Sequence, residues 1–288
     1  MRARYRPEMT NTGLHPTIAV TAVDEYQNVR EMDIADERPL TLYIDSHEIV
    51  TLMTLGMAPE LLALGYVKNQ GLITRLEDIK SIQVDWEVNA AAVSTFLDRD
   101  DWSERLGPRI VTTGCGQGTV FGDIIEQLEN VHIKPLTLRQ STVYELLKNL
   151  NAYNEVYKSA GGVHGCALCR GSEIIAFIED VGRHNAVDAI AGKMWLEGIS
   201  GADKLFYTTG RLTSEMVIKV AQMGIPVLMS RSGITQMGLN LARELGVIMF
   251  SRVQGKHFLI YNGAEHIIFD KELPQKLEVA NIKKISGS

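Results

Sequence analysis

Cys115 lies in the stretch TTGCGQGT, Thr112–Thr119, with a glycine on each side. The cysteine thiolate is a strong nucleophile, and a glycine-rich loop suits a thiol that moves between a donor and an acceptor. No lysine, arginine or histidine stands within five residues of Cys115. Any lowering of its thiol pKa must therefore come from the rest of the fold or from a partner. The other interpretation is a tight turn whose thiol is incidental.

Three later stretches combine a glycine with a nearby arginine where a strand pattern gives way to a helix pattern. They are EDVGRHNAVD (179–188, with Gly182 and Arg183), TTGRLTSEM (208–216, with Gly210 and Arg211) and SRSGITQ (230–236, with Gly233 and Arg231). In open α/β sheets, ligands bind beyond the carboxyl ends of the strands, where helix N-termini present unpaired N–H groups. Together the stretches predict a crevice for a phosphate-bearing molecule. The alternative is that these loops only cap helices and form surface ion pairs.

Some polar side chains have defined candidate roles in this crevice. Arg183 and Arg211 are the expected charge partners of phosphate groups. Thr213 and Ser214 either cap their helix or donate to a phosphate.

The role of His184 has three candidates. It contacts the ligand, or it acts as an acid or base near Cys115, or it makes a structural hydrogen bond to Asp180 or Asp188.

A zinc site is the first alternative to consider for His164, Cys166 and Cys169 in the stretch HGCALC. On a strand, His164 and Cys166 point to one face and Cys169 to the other, so we expect buried core cysteines and no bound metal. The stretch also lacks the H-x-E and P-C-x-x-C pattern of zinc-dependent base deaminases.

Composition limits the class of protein. With 288 residues, 45% hydrophobic and 22% charged, the chain is typical of a globular protein with one large or two modest domains. A formal net charge of −6 leaves no excess of basic residues for nucleic-acid phosphates. There is no apolar run of the roughly 20 residues that a membrane span needs, and the N-terminus lacks the apolar stretch of a secretory signal. The three cysteines indicate reduced thiols, and we expect a cytoplasmic protein.

The elements that position these residues fall into four expected parts. They are a flexible segment over 1–16, a β-rich domain over 17–135 that includes the Cys115 loop, an α/β domain over 136–270 and a tail over 271–288. In the β-rich domain we expect strands over 17–50, a helix between Pro59 and Gly71, and a single strand in SIQVDWEVNAAAVS. From about Val163, strands alternate with helices, which predicts a sheet covered on both faces. The helix in HNAVDAIAGKMWLEG is expected to start with Asn185 as N-cap and to stop at Gly198.

The stretch EDVGRHNAVD, with SAGGVHGCAL before it and TTGRLTSEMVIKVAQMGIPVLMS after it, resembles the FdhD family of formate dehydrogenase accessory sulfurtransferases. The stretches DERPLTLYIDSHEIVTLM and ALGYVKNQGLI are similar to the N-terminal half of the same family. The resemblance runs from about Glu37 to Tyr261.

This resemblance implies a function, a fold and partners. Cys115 would accept sulfur from a cysteine desulfurase as a persulfide and pass it to molybdenum (or tungsten) bis(molybdopterin guanine dinucleotide) for a formate dehydrogenase. The C-terminal domain would have the three-layer α/β/α architecture of cytidine deaminases without their zinc, and the protein would be a homodimer. The implied cofactor-binding residues are Gly182, Arg183, His184, Asn185, Gly210, Arg211, Thr213, Ser214, Arg252, Val253, Gln254, Gly255, Lys256 and His257.

The cysteine loop departs from the family pattern. The family motif is C-G-x-C-G, and here Gly118 stands where the second cysteine would be. One thiolate suffices in principle to accept and pass on a sulfur atom. The alternative functions are a cofactor-binding chaperone that transfers no sulfur and a zinc-dependent hydrolase of nucleotides.

Overall fold

The computed structural model describes residues 5–97 and 133–272. Cys115 and Gly118 lie outside this range, so the predictions about the cysteine loop stay predictions. Two larger sheets dominate the described part of the chain, one in each half.

The N-terminal half forms a five-stranded sheet and a two-stranded ribbon. Its strands are β1 (Glu8–Met9), β2 (Thr17–Val23), β3 (Val29–Ala35), β4 (Arg38–Ile44), β5 (His47–Thr54), β6 (Ile79–Asp85) and β7 (Ala90–Thr95). The sheet has the order β1-β6-β7-β4-β5, and β2 pairs with β3 as a separate antiparallel ribbon. Helix α1 (Pro59–Asn69), with Pro59 in its first turn, packs on the sheet through residues such as Leu62 and Val67.

The C-terminal half alternates strands and helices. Its strands are β8 (Leu138–Arg139), β9 (His164–Arg170), β10 (Glu173–Asp180), β11 (Leu205–Thr208), β12 (Val227–Ser230), β13 (Ile248–Gln254), β14 (His257–Asn262) and β15 (Ile267–Ile268). Its helices are α2 (Gln140–Leu150), α3 (Glu155–Ser159), α4 (Arg183–Glu197), α5 (Ser214–Gln222) and α6 (Gln236–Leu245). Six of the strands form a sheet in the order β10-β9-β11-β12-β13-β14, and β8 pairs with β15.

Helices cover both faces of the six-stranded sheet. Helices α4, α5 and α6 pack on the face that carries Cys166 and Phe206, whereas α2 packs on the face that carries Cys169 and Tyr207. The mixed α/β class and the covered sheet are therefore confirmed. The specific likeness to cytidine deaminases stays a prediction.

Helix α1 joins the two halves by packing directly on α4. A Cβ added at Gly65 would lie 1.7 Å from the Asp188 carbonyl oxygen, and one at Gly192 would lie 2.1 Å from the Leu61 carbonyl oxygen. Both distances are far below van der Waals contact, so the two helix backbones approach as closely as glycine permits. Asp188, whose backbone lies at this crossing, has a buried carboxylate, and Lys219 Nζ donates to both of its oxygens at 2.7 and 2.6 Å.

Two expectations about the N-terminal half are wrong. The stretch SIQVDWEVNAAAVS forms parts of two antiparallel strands, β6 and β7, because residues 86–89 make a turn between them. Residues 5–16 are not an untethered segment. Thr10 and Thr12 hydrogen bond to the Glu60 carboxylate through their hydroxyl groups, at 2.8 and 2.9 Å, and β1 pairs with β6.

The helix in HNAVDAIAGKMWLEG ends as expected, with Gly198 in the left-handed conformation at φ 64°. Its start differs, because Gly182 is the N-cap and Asn185 already lies inside the first turn. Within the described residues, no helix is both long and apolar enough to cross a membrane.

Candidate functional site

The three glycine–arginine junctions meet at one edge of the six-stranded sheet. Strands β11, β12 and β13 are parallel, and β10 points the same way because both β10 and β11 run antiparallel to β9. The carboxyl ends of β10, β11 and β12 therefore share an edge, and each is followed by a helix, α4, α5 or α6. The convergence predicted from the sequence is present, and this edge is called the crevice below.

Backbone hydrogen bonds lock neighbouring junctions together. Arg231 N donates to the Thr208 carbonyl at 3.0 Å, and Leu212 N donates to the Gly233 carbonyl at 3.0 Å. The Ser230 hydroxyl, fully buried, donates to the Gly210 carbonyl at 2.6 Å. The loops after β11 and β12 are consequently fixed relative to each other without any ligand.

The glycines of the junctions have different roles. A Cβ at Gly210 would lie 2.7 Å from Arg183 Cδ, so Gly210 makes room for the Arg183 side chain. A Cβ at Gly182 would lie 3.3 Å from the Asn185 amide nitrogen, whereas one at Gly233 would meet no atom within 4 Å. Close approach of the backbone to a ligand, which the sequence suggested for all three, fits Gly233 best.

Positive charge and unpaired donors gather in the crevice. Arg183 is half-buried, and Arg211 and Arg231 are exposed. Arg183 Nε and Thr213 Oγ1 are buried atoms that lack a hydrogen-bond partner among the described residues. Thr213 is the N-cap of α5 in an extended conformation, but its side chain makes no capping bond, and Ser214 is the first residue of the helix. Buried donors without partners are costly, so this arrangement suits an anionic ligand at the start of α4 and α5.

Two histidines line the same region. His184 Nε2 lies 3.0 Å from Glu215 Oε2, and this hydrogen bond is the main cause that lowers the pKa of the Glu215 carboxyl. His184 Nε2 therefore has a partner on the next junction, Glu215, where the sequence suggested Asp180 or Asp188. Burial lowers the pKa of His164, and the charge of Arg183 lowers it further. The lowered pKa favours the neutral form of the His164 imidazole beside these arginines.

Asn185 does not face the crevice as a free ligand. Its amide nitrogen donates to the Met53 carbonyl at 2.6 Å and to Asp180 Oδ1 at 2.9 Å. Asp180 also accepts from the Thr54 hydroxyl at 2.5 Å and from Leu55 N at 3.2 Å. Both donors of the amide are in use, so Asn185 and Asp180 bind the N-terminal sheet to the start of α4. Contact of Asn185 with a cofactor stays a prediction.

The stretch Arg252–His257 forms the end of β13, a two-residue turn and the start of β14. Arg252 lies in the left-handed region at φ 51°, and its N–H donates to the Ser232 carbonyl at 3.0 Å. This hydrogen bond places Arg252 beside the third junction, and the role of the stretch in ligand binding stays a prediction. Val253 is an exception, since its side chain is buried in the core on the α2 face. The remaining residues Gln254, Gly255, Lys256 and His257 are exposed.

The arrangement of His164, Cys166 and Cys169 does not make a zinc site. Cys166 and Cys169 lie in cores on opposite faces of the sheet, and burial raises the pKa of each thiol to about 12. Across residues 5–97 and 133–272, there is no group of three or more His, Cys, Asp or Glu side chains placed to hold a metal ion. Cys166 instead donates to the Thr208 hydroxyl, with sulfur and oxygen 3.2 Å apart, beneath the crevice.

Sequence reasoning missed helix α3, whose first turn is held at the end of β10. Glu179, at the end of β10, accepts from Val156 N at 3.0 Å and from Tyr157 N at 2.9 Å. Asn154 Oδ1 would lie 2.8 Å from a Cβ at Gly165, near the start of β9. The available signal was Glu179 in EDVGRHNAVD, because a carboxylate stabilises the N-terminus of a helix that packs beside it.

Comparison with known proteins identifies the family. The model of the FdhD/NarQ family matches residues 35–268. The sulfur carrier protein FdhD of Listeria monocytogenes serotype 4b (strain F2365) is 32% identical over 240 residues, which cover 82% of this chain and 92% of that protein. The protein of the same name from Bacillus subtilis (strain 168) is 28% identical over 238 residues, covering 80% and 88%. A crystal structure described as a formate dehydrogenase accessory protein, from Desulfotalea psychrophila, has a TM-score of 0.70 at 26% identity and covers 88% of this chain and 98% of that one. The chain belongs to the FdhD/NarQ family.

Proposed function

We propose that this protein is a sulfur carrier that supplies sulfur to the molybdenum or tungsten bis(molybdopterin guanine dinucleotide) cofactor of a formate dehydrogenase. The relatives named sulfur carrier protein FdhD and the structure described as a formate dehydrogenase accessory protein support the general role. The observation that carries the cofactor assignment is the pair of buried, unpartnered donors Arg183 Nε and Thr213 Oγ1 beside two helix N-termini. Such a site suits the phosphate groups of a dinucleotide.

Sulfur enters on Cys115 in this proposal. The Cys115 thiolate attacks the terminal sulfur of a persulfide on the cysteine desulfurase. A new S–S bond forms, the donor's S–S bond breaks and the desulfurase thiolate leaves, so the exchange needs no external oxidant or reductant. Cys166 and Cys169 are unsuited to this step because both are buried and their thiols stay protonated with pKa values of about 12.

The second step passes the terminal sulfur of Cys115 to the metal of the bound cofactor. The S–S bond breaks and a metal–sulfur bond forms. The sulfur atom becomes a sulfide by taking two electrons from the metal, which enters in its reduced state, and the Cys115 thiolate is regenerated. Arg183 and Arg211 hold the phosphates of the cargo during this transfer, with Lys256 beside the third junction.

Intact mass spectrometry tests sulfur loading. The protein is incubated with a cysteine desulfurase and cysteine, and its mass is measured before and after treatment with a thiol reductant. We expect a gain of one sulfur atom that reductant removes and that Cys115→Ser abolishes. The matched control Cys169→Ala changes a buried thiol and is expected to load like the wild type. No gain in the wild type, or an equal gain in Cys115→Ser, contradicts the sulfur-carrier proposal.

Calorimetric titration with guanosine diphosphate tests the crevice separately from the thiol. We expect binding to weaken in Arg183→Gln and in Arg211→Gln but not in Arg243→Gln, because Arg243 lies in the last turn of α6, away from the crevice. Equal binding by all four proteins would remove the phosphate site from the proposal.

The second candidate function is a chaperone that holds the cofactor and transfers no sulfur. Gly118 favours it, since this chain has glycine where the family loop carries its second cysteine. Formate dehydrogenase activity in cells that lack their own copy of this protein separates the two functions. The sulfur carrier requires Cys115 and fails with Cys115→Ser, whereas the chaperone restores activity with that variant. The expected homodimer and cytoplasmic location stay predictions.

A further inference from the structure

Tyr157 lies at the crevice edge, between the end of β10 and the loop that follows β12. The backbone N–H of Tyr157 is held by Glu179 at the end of β10, while its ring lies 5.9 Å from the guanidinium carbon of Arg231, which follows β12. Strands β9 and β11 lie between β10 and β12 in the sheet, so these anchors are about 14 Å apart at a strand spacing of about 4.8 Å. The Tyr157–Arg231 pair therefore spans the middle of the crevice edge.

The Tyr157 ring is not used in packing the core. It is 47% exposed, and none of the ring–ring contacts in the described part of the chain involves it. The neighbouring Tyr153 differs, because its ring packs on Phe177 with centroids 5.1 Å apart. An exposed aromatic ring that faces an arginine across a binding crevice is available to a ligand.

The spacing of the pair fits a planar group between its members. Optimal carbon–carbon contact is about 3.5 Å, so an aromatic ring inserted between two planar groups needs them about 7 Å apart. At 5.9 Å the guanidinium is at the outer limit of a cation–π contact with the ring, which is about 6 Å, and about 1 Å short of the inserted arrangement. Arg231 is exposed and on a flexible stem, so this adjustment requires little rearrangement.

We infer that the base of the guanine dinucleotide is sandwiched between the Tyr157 ring and the Arg231 guanidinium. This rests on the proposed function, because it places the base of the cargo whose phosphates bind at α4 and α5. Aromatic rings and arginine guanidinium planes both stack on nucleobases. The crevice would then bind the cofactor through two kinds of contact. Positive charge and helix N-termini hold the phosphates, and the Tyr157–Arg231 pair holds the planar base.

The test compares two probes, guanosine diphosphate and inorganic pyrophosphate, by calorimetric titration. Tyr157→Leu removes the ring, Tyr157→Phe retains it, and Tyr26→Leu is the matched control on the 75% exposed Tyr26 of the ribbon turn. We expect Tyr157→Leu to weaken guanosine diphosphate binding by roughly 5- to 150-fold while pyrophosphate binding stays unchanged. Tyr157→Phe and Tyr26→Leu should bind both probes like the wild type.

The outcomes separate this inference from the proposed function. If the wild type binds neither probe, the phosphate site itself is wrong. If the wild type binds both probes and Tyr157→Leu binds guanosine diphosphate normally, the phosphate site stands and the stacking inference is overturned. An equal loss for both probes in Tyr157→Leu also overturns it, because the ring would then support the crevice structurally rather than contact the base.

Discussion

Replacing Gly210 with alanine is expected to weaken phosphate binding without unfolding the protein. The added Cβ would lie 2.7 Å from Arg183 Cδ, 3.1 Å from its Cβ and 3.4 Å from its Cγ. The first distance is too short, so the Arg183 side chain must move. Its Nε is a buried donor without a partner in the described residues, and the move takes it away from the position where a phosphate would bind.

The expected size of the effect follows from what moves. A hydrogen bond to a charged group contributes about 1.5–3 kcal/mol, so its loss weakens binding roughly 10- to 150-fold. Moving Arg183 out of its preferred rotamer costs about 0.5–1.5 kcal/mol of stability. Because alanine restricts the unfolded chain more than glycine does, a gain of about 0.4–1 kcal/mol offsets part of that cost. The free energy of unfolding should therefore change by less than about 1 kcal/mol.

Titration with guanosine diphosphate and urea denaturation measure the two quantities. Gly233→Ala is the matched control for denaturation only, because a Cβ there would meet no protein atom within 4 Å. We expect Gly233→Ala to unfold like the wild type. The reasoning is refuted if Gly210→Ala binds as tightly as the wild type while Arg183→Gln loses binding. A drop in stability of several kcal/mol would also contradict it, since the clash would then involve more than one flexible side chain.

Three further predictions concern stability and the thiols. Lys219→Met leaves the buried Asp188 carboxylate without its cation and should lower the free energy of unfolding by about 3–5 kcal/mol in urea denaturation; a loss below about 1 kcal/mol would contradict the pairing. The His184 hydrogen bond lowers the pKa of Glu215 in the folded protein. The ionised carboxylate therefore stabilises the fold at pH values above its ordinary pKa of 4.5, and this stabilisation is lost as the pH falls through the lowered pKa. Glu215→Gln should therefore show a smaller stability loss than the wild type between pH 5 and pH 3, and identical pH profiles would argue against the interaction. Of the three cysteines, the two buried in β9 should resist a thiol reagent at pH 8 in the native protein and react after denaturation, so native labelling of more than one thiol would be inconsistent with the fold.

Local patterns in the sequence were sufficient for much of the fold. The end of α4 at Gly198 follows from the ease with which glycine adopts the left-handed conformation. Pro59 fits the first turn of α1 because backbone N–H groups in that turn have no acceptor within the helix, so the missing N–H of proline costs nothing there. The alternation of strands and helices after Val163 predicted a sheet with helices on both faces, since parallel strands require crossovers. Local alternation failed at SIQVDWEVNAAAVS, where a turn between two antiparallel strands keeps the same alternation on either side.

Sequence patterns were also enough to predict that the glycine–arginine junctions meet, because the carboxyl ends of parallel strands share one edge of a sheet. Tertiary structure decided what each residue does there. Asn185 binds a carbonyl 132 residues away, Gly210 accommodates the side chain of Arg183, and Tyr157 lies opposite Arg231 across the crevice. These contacts depend on which distant backbone segments the packing brings within a few ångströms, and neither residue type nor local spacing contains that information.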